Sequence, residues 1–281
     1  MLKRFAFLTG IAASVALVSG AGAQHRIDWY SLNGGGGEAS GGGYKINGSI
    51  GQSVAGFTSN ATFLHWIGFW AGETRNPIVV TDIGALKKYA DGTYVSIAGK
   101  IATSSESDFD GFSYMEDASR ASGIRVAAEA AGVAGLLRGS VLNVIGTLGT
   151  TTAGERQITG PIVIITGTTT PLAPLGMTNR SVGGGNLGTP PLGQYGPAGG
   201  FGTNSVGLLV RTAGLVTGVE AGFVTIDDGS GTPVRVSVNN LAAPPALDDY
   251  VTIIGLSSLD KPGADRLRLV LPRDDADTLT H

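Results

Sequence analysis

The chain has no cysteine and only three histidines, His25, His65 and His281, in 281 residues. Without thiols there is no disulfide, no cysteine zinc site and no thiol nucleophile. The imidazoles lie far apart, one at the last residue, so neither a histidine metal site nor a histidine-centred triad is expected. Charge is scarce too: Asp, Glu, Lys and Arg make up 15% of the chain, against roughly 25% in ordinary globular domains. There is no Gly-x-Ser-x-Gly elbow, no phosphate loop ending in Gly-Lys-Ser/Thr and no His-Glu-x-x-His. The glycines of 34–43 are followed by no helix pattern and no charged partner, so they are not a dinucleotide fingerprint. Carboxylates are plentiful enough for a glycoside-hydrolase pair, but no spacing recommends one. The chain reads as non-catalytic and without a cofactor, a hydrolase of envelope polymers being the weakest alternative.

What is abundant is glycine, 46 residues, with no every-third-residue period that would mean collagen. Hydrophobic residues reach 42%, which excludes a weakly hydrophobic disordered polymer. Residues 1–23 read as a secretory signal peptide. Lys3 and Arg4 precede an apolar run over 5–18, and Ala21-Gly22-Ala23 offers a small-x-small cleavage site. The run is too short for the ~20 residues of a spanning helix. Cleavage removes two basic residues and leaves 17 against 22 acids, a net charge of −5. That sign opposes non-specific attraction to nucleic acid or anionic lipid.

Composition divides the rest. Residues 24–76 form a Gly/aromatic β module holding Trp29, Trp66 and Trp70. Its strands are expected over 27–32, 44–50 and 63–70, with glycine runs at 34–37 and 41–43 as turns. The tryptophans read as its core, with a carbohydrate platform as the alternative. Residues 81–168 and 203–272 alternate apolar with polar. Between them, 169–202 is a Gly/Pro-rich connector whose apolar residues suggest that it drapes over a barrel. The acidic tail, 273–281, is expected to fray.

The two alternating blocks repeat each other. Phe112-Ser-Tyr-Met-Glu-Asp117, Gly123-Ile-Arg-Val126 and Val144-Ile-Gly146 return as Phe223-Val-Thr-Ile-Asp-Asp228, Pro233-Val-Arg-Val236 and Ile253-Ile-Gly255, in the same order. Each block predicts five strands: 94–103, 111–116, 123–128, 141–148 and 157–165, then 208–217, 223–227, 233–237, 250–256 and 265–271. Asp82 is placed to cap a lead-in helix over 83–89. Ala and Leu predict a short helix over 127–137, where the second block has two prolines and a loop. Five strands with an element between the third and fourth is the plan of an OB fold, a small barrel. An unrelated five-strand sandwich is the alternative.

These residues also resemble a known group. The Phe112–Val126 pair of segments and Pro174-Leu-Gly-Met-Thr-Asn-Arg180 resemble tandem OB-fold domains of secreted bacterial proteins and their inter-domain segment. Gly41-Gly-Gly-Tyr44, Gly48-Ser-Ile-Gly-Gln52 and Gly68-Phe-Trp-Ala-Gly72 resemble a Gly-rich module of exported proteins in planctomycete-like and armatimonad-like bacteria. The resemblance implies an exported, all-β architecture and carries no catalytic residues over.

OB barrels take ligands on the face of strands two and three. If Phe112, Tyr114, Ile124 and Val126 point inward, Ser113, Met115 and Arg125 point outward. The corresponding outward set in the second block is Val224, Ile226 and Arg235. Neither set holds an aromatic, and residues 82–168 and 203–281 carry −2 and −4. Single-strand binders stack bases on aromatics in a basic groove, so extracellular nucleic acid is the runner-up ligand. The chain reads as an exported binding or envelope-structural protein, with a glycan or a cell-surface protein as the leading ligand. Arg125 with Arg235, and Arg156 with Arg266, occupy equivalent stations and suit an anion, or pair with acids nearby. Asp108 and Asp110, and Asp227 and Asp228, are weak calcium candidates lacking the closing Glu of a calcium loop.

Overall fold

The computed structural model describes residues 35–41, 44–50, 56–59, 64–67, 77–127 and 133–281. The chain divides into two compact units, 1–74 and 75–281. In the first, β1 (Gly35–Gly41) pairs antiparallel with β2 (Tyr44–Ile50), and β3 (Gly56–Ser59) with β4 (Leu64–Ile67). The strand expected over 44–50 is there. The glycines from Gly35 onward build β1 instead of a turn. The signal segment, the strand expected over 27–32 and the side chains of the three tryptophans lie outside the described residues.

The second unit opens with β5 (Ile78–Val80) and a short helix α1 (Ile83–Leu86). Asp82 caps α1 as its sequence predicts, accepting from the Ala85 amide at 2.7 Å. Then come β6 (Tyr94–Ala102), β7 (Ser113–Glu116), β8 (Gly123–Ala127), β9 (Ser140–Thr150) and β10 (Arg156–Thr168). They pair in the order β6-β7-β8-β10-β9, and β6 also pairs with β9, closing a five-strand barrel. One pairing, β8 with β10, is parallel. Inside lie Ile97, Met115, Ile124, Val126, Leu142, Val144 and Ile158, with Ile83 and Leu86 of α1. Burying each such side chain contributes about 1.5–3 kcal/mol. The helix expected over 127–137 is not formed at 133–137, which is turn and coil. Gly135 there adopts φ +78°, which a helix does not allow.

The second block pairs the same way. Its strands are β14 (Leu209–Glu220), β15 (Phe223–Asp227), β16 (Val234–Ser237), β17 (Tyr250–Asp260) and β18 (Leu267–Leu271). They run β14-β15-β16-β18-β17, β14 also pairs with β17, and β16 with β18 is the parallel pair. The connector is ordered. It contributes β11 (Leu175–Gly176), beside β14, and a hairpin of β12 (Leu187–Thr189) and β13 (Leu192–Gln194). Its Val182 sits in the second core. The tail does not fray: β19 (Thr278–Thr280) pairs with β17. Arg273, bonded to Asp277, helps to hold it.

A third apolar cluster joins the barrels. Phe109 and Tyr114 of the first pack with Leu209 and Leu256 of the second, flanked by Phe112, Ile254 and Leu271. Phe109 and Phe112 stack at 4.9 Å, and Tyr114 meets both edge-on. Polar bonds surround this cluster. Glu155 accepts from Tyr114 at 2.9 Å and from Ser258 at 2.7 Å. Glu116 accepts from the Leu209 amide, and Arg138 bridges Asp108 to Asp274.

Candidate functional site

The outer face of strands two and three differs between the barrels. In the first, all four residues of β7 are buried. Tyr114 covers no barrel interior; it lies in the cluster against Leu209 and Leu256. Met115 is the inward residue, packed in the first core, where the alternation had been read in the opposite phase. Ser113 is buried as well. Arg125 does face outward, but its guanidinium carbon sits over the Phe112 ring, 3.6 Å from the centroid. This face is spent on docking the second barrel.

The phase is also reversed in β15. Val224 and Ile226 belong to the second core. Phe223, Thr225 and Asp227 therefore face outward. Arg235 on β16 faces outward as expected, opposite Thr225. The guanidinium of Arg235 stacks on Phe223 at 4.1 Å. It also pairs with Glu220 at 2.9 Å and with Asp260. Around it opens a groove of about 430 Å³. Pro233, Pro262, Leu267 and Ala198 supply its apolar lining, and Arg235, Glu220, Thr225, Arg266 and Arg268 its polar lining. That volume falls in the ordinary range of small-ligand sites, about 300–1,000 Å³.

Arg266 stands at this groove, stacked on Tyr195 of the connector at 3.7 Å and donating to the Ala153 carbonyl. Sequence reasoning missed Tyr195, Phe223, Glu220 and Arg268. Tyr195 lies in the connector, which the sequence drapes over a barrel without assigning it a site, and Phe223 is placed inward by the strand phase. Arg268 is buried and reaches the carbonyls of Ala198, Gly199 and Arg180 at 3.3–3.5 Å. Burial, and then the nearby charge of Arg180, hold its guanidinium below the usual arginine range.

The other candidates serve the fold. Arg156 is fully buried, not facing a ligand. It pairs with Asp91 and donates to the Tyr89 carbonyl and to Thr150. Three of the four carboxylates proposed for calcium are occupied. Asp108 is held by Arg138 and Ser105, which keep its carboxyl below the usual range against the upward pull of burial. Asp227 and Asp228 accept turn amides from Gly229, Gly231, Ser230 and Asn179. Asp110 is exposed. Among the described residues no group of three or more His, Cys, Asp or Glu is placed to hold a metal ion. No described helix is long and apolar enough to cross a membrane.

No family model matches the chain, and neither does any curated protein. Among solved structures, a murine DNA binding protein bound with double-stranded DNA is similar at 10% identity and a TM-score of 0.30. The overlap covers 64% of this chain and 91% of that one. A likeness at that score carries no argument about function.

Proposed function

We infer that the chain is an exported, non-catalytic binding protein of two OB-type barrels, in which the first is a buttress and the second binds. The leading ligand is a glycan or a cell-surface protein. One observation supports this most: the strand-two and strand-three face is buried in the first barrel, and in the second it opens a groove. Lone barrels of this order carry ligands on that face, so duplication followed by docking leaves one of two faces for use. A glycan array probed with the chain tests the reading. Retention that disappears on Arg235→Ala supports it, and silence across the array together with unchanged behaviour of Arg235→Ala sinks it.

A second reading has an observation of its own. Arginine–aromatic pairs flank the groove, Arg235 on Phe223 and Arg266 on Tyr195. The sequence alone had suggested that both aromatics and basic groups were missing there. Single-stranded nucleic acid uses such groups. An electrophoretic shift with single-stranded DNA at low salt checks it, and no shift at tens of micromolar protein removes it.

A further inference from the structure

We propose that the groove of the second barrel takes a neutral saccharide, with the Arg235–Glu220 pair reading two neighbouring hydroxyls. This rests on the reading of that groove as the binding site. The argument begins with what the groove lacks. Its outward cation, Arg235, is already matched by two carboxylates, Glu220 and Asp260. An incoming phosphate or carboxylate would meet Glu220, which itself lines the groove. Arg266 is engaged by Tyr195 and a carbonyl, and Arg268 by three carbonyls. Each of the two aromatic rings carries a guanidinium over one face. A polyanion therefore meets Glu220 and Asp260 beside Arg235, while Arg266 and Arg268, which have no carboxylate partner, are held by Tyr195 and by carbonyls.

A sugar asks for something different. Each hydroxyl both donates and accepts. A guanidinium N–H and a carboxylate oxygen held 2.9 Å apart present one donor and one acceptor side by side. Two neighbouring hydroxyls match that pair: one accepts from Arg235 and the other donates to Glu220. The C–H face of a pyranose ring is apolar, and Pro233, Pro262 and Leu267 give it an apolar wall. Arg235 is held in place by the Phe223 ring beneath it, so little side-chain freedom is lost on binding.

The test is calorimetric titration of the full chain with a panel of neutral hexasaccharides: cello-, malto-, chito-, xylo- and mannohexaose. Hexagalacturonate and a twelve-residue oligothymidylate are the charged controls. At least one neutral hexasaccharide is expected to bind at least tenfold more tightly than either control. Glu220→Gln and Arg235→Gln are each expected to weaken it tenfold or more. Glu220 is exposed, so its substitution leaves the fold intact, and an unchanged melting temperature verifies this. No binding by any neutral member overturns the proposal. If a charged control binds best and Arg235→Gln abolishes it, the groove stands as the site and the neutral class is wrong. If a neutral sugar binds but neither substitution matters, the ligand lies elsewhere, and both the proposal and the choice of groove fall.

Discussion

Lys87 follows the α1 helix and is almost entirely removed from water. Its ammonium donates to the Val206 carbonyl at 2.7 Å, from the first barrel to the start of the second block. Burial lowers its pKa to about 7, with Glu155 pulling the other way. The unfolded amine titrates near 10.4. Between those values the unfolded chain holds the extra proton, so stability rises with pH from about 7 toward 10.5. Below 7 the cost of burying the charge is fully present. Within the window one pH unit is worth about 1.4 kcal/mol for a single group. Urea unfolding at pH 7 and pH 9 is expected to show this rise, and Lys87→Met to flatten it. An equal rise in the variant would assign the effect to other groups. Glu155 acts in the opposite sense. Burial raises its pKa, so its share of stability is present at acid pH and is lost as pH climbs through the folded value. Tyr114→Phe removes one of its two hydroxyl donors. That change is expected to cost about 1 kcal/mol, read as a lower urea midpoint with the slope preserved.

The element that decides the architecture is the β7–β8 hairpin. Gly123 at the start of β8 passes so close to Gly207 that a Cβ there would stand 2.1 Å from the Gly207 carbonyl oxygen. In the reciprocal approach a Cβ on Gly207 would stand 2.4 Å from the Gly123 carbonyl oxygen, and Gly207 adopts φ +91°. Gly123→Ala must push the barrels apart, and is expected to destabilise by about 1–3 kcal/mol or more. Gly167→Ala, on β10, meets nothing within 4 Å and is the matched control, expected within about 0.5 kcal/mol of the parent. Equal denaturant midpoints for the two would refute the contact. The strands themselves were legible, because alternation and turn residues mark where each begins and ends. The three matched segments fall on corresponding strands of the two blocks, β7 and β15, β8 and β16, β9 and β17. Strand phase was not legible in β7 or β15. β7 is buried on both faces, so polarity does not separate inside from outside. Met115 is unbranched and fills the core, while the larger Tyr114 is needed at the junction, where its hydroxyl meets Glu155. In β15, assigning the largest side chain inward misplaced Phe223, which serves as the platform for Arg235. The groove was half legible for the same reason. Arg235 and Arg266 stood out as repeated stations, but Tyr195 comes from the connector and Glu220 from the far end of β14, contacts that only the closed barrel brings together.

At the scale of the molecule, residues 75–281 form one compact unit although they contain two barrels. The reason lies in what each barrel lacks alone. The first exposes Phe109, Phe112 and Tyr114 unless the second covers them, and Glu155 keeps its Ser258 donor only while the two are docked. Burying each large apolar side chain of the junction, Phe109, Tyr114, Leu209 and Leu256, contributes about 1.5–3 kcal/mol, and a buried carboxylate left with fewer partners costs about 1–3 kcal/mol. Parting the barrels thus forfeits terms comparable to the whole stability of a small domain, about 5–15 kcal/mol. Opening one barrel should therefore open the other. Hydrogen exchange at the amides of β9 and β17 reads this directly, since each strand lies deep in a different barrel. Their slowest amides are expected to exchange with the same opening free energy, and to fall together in Gly123→Ala. If β17 opens well before β9, or if the substitution lowers only one of them, the barrels are independent. A buttress that fails independently could not keep the groove in register, so the division of labour between the barrels would fail with it.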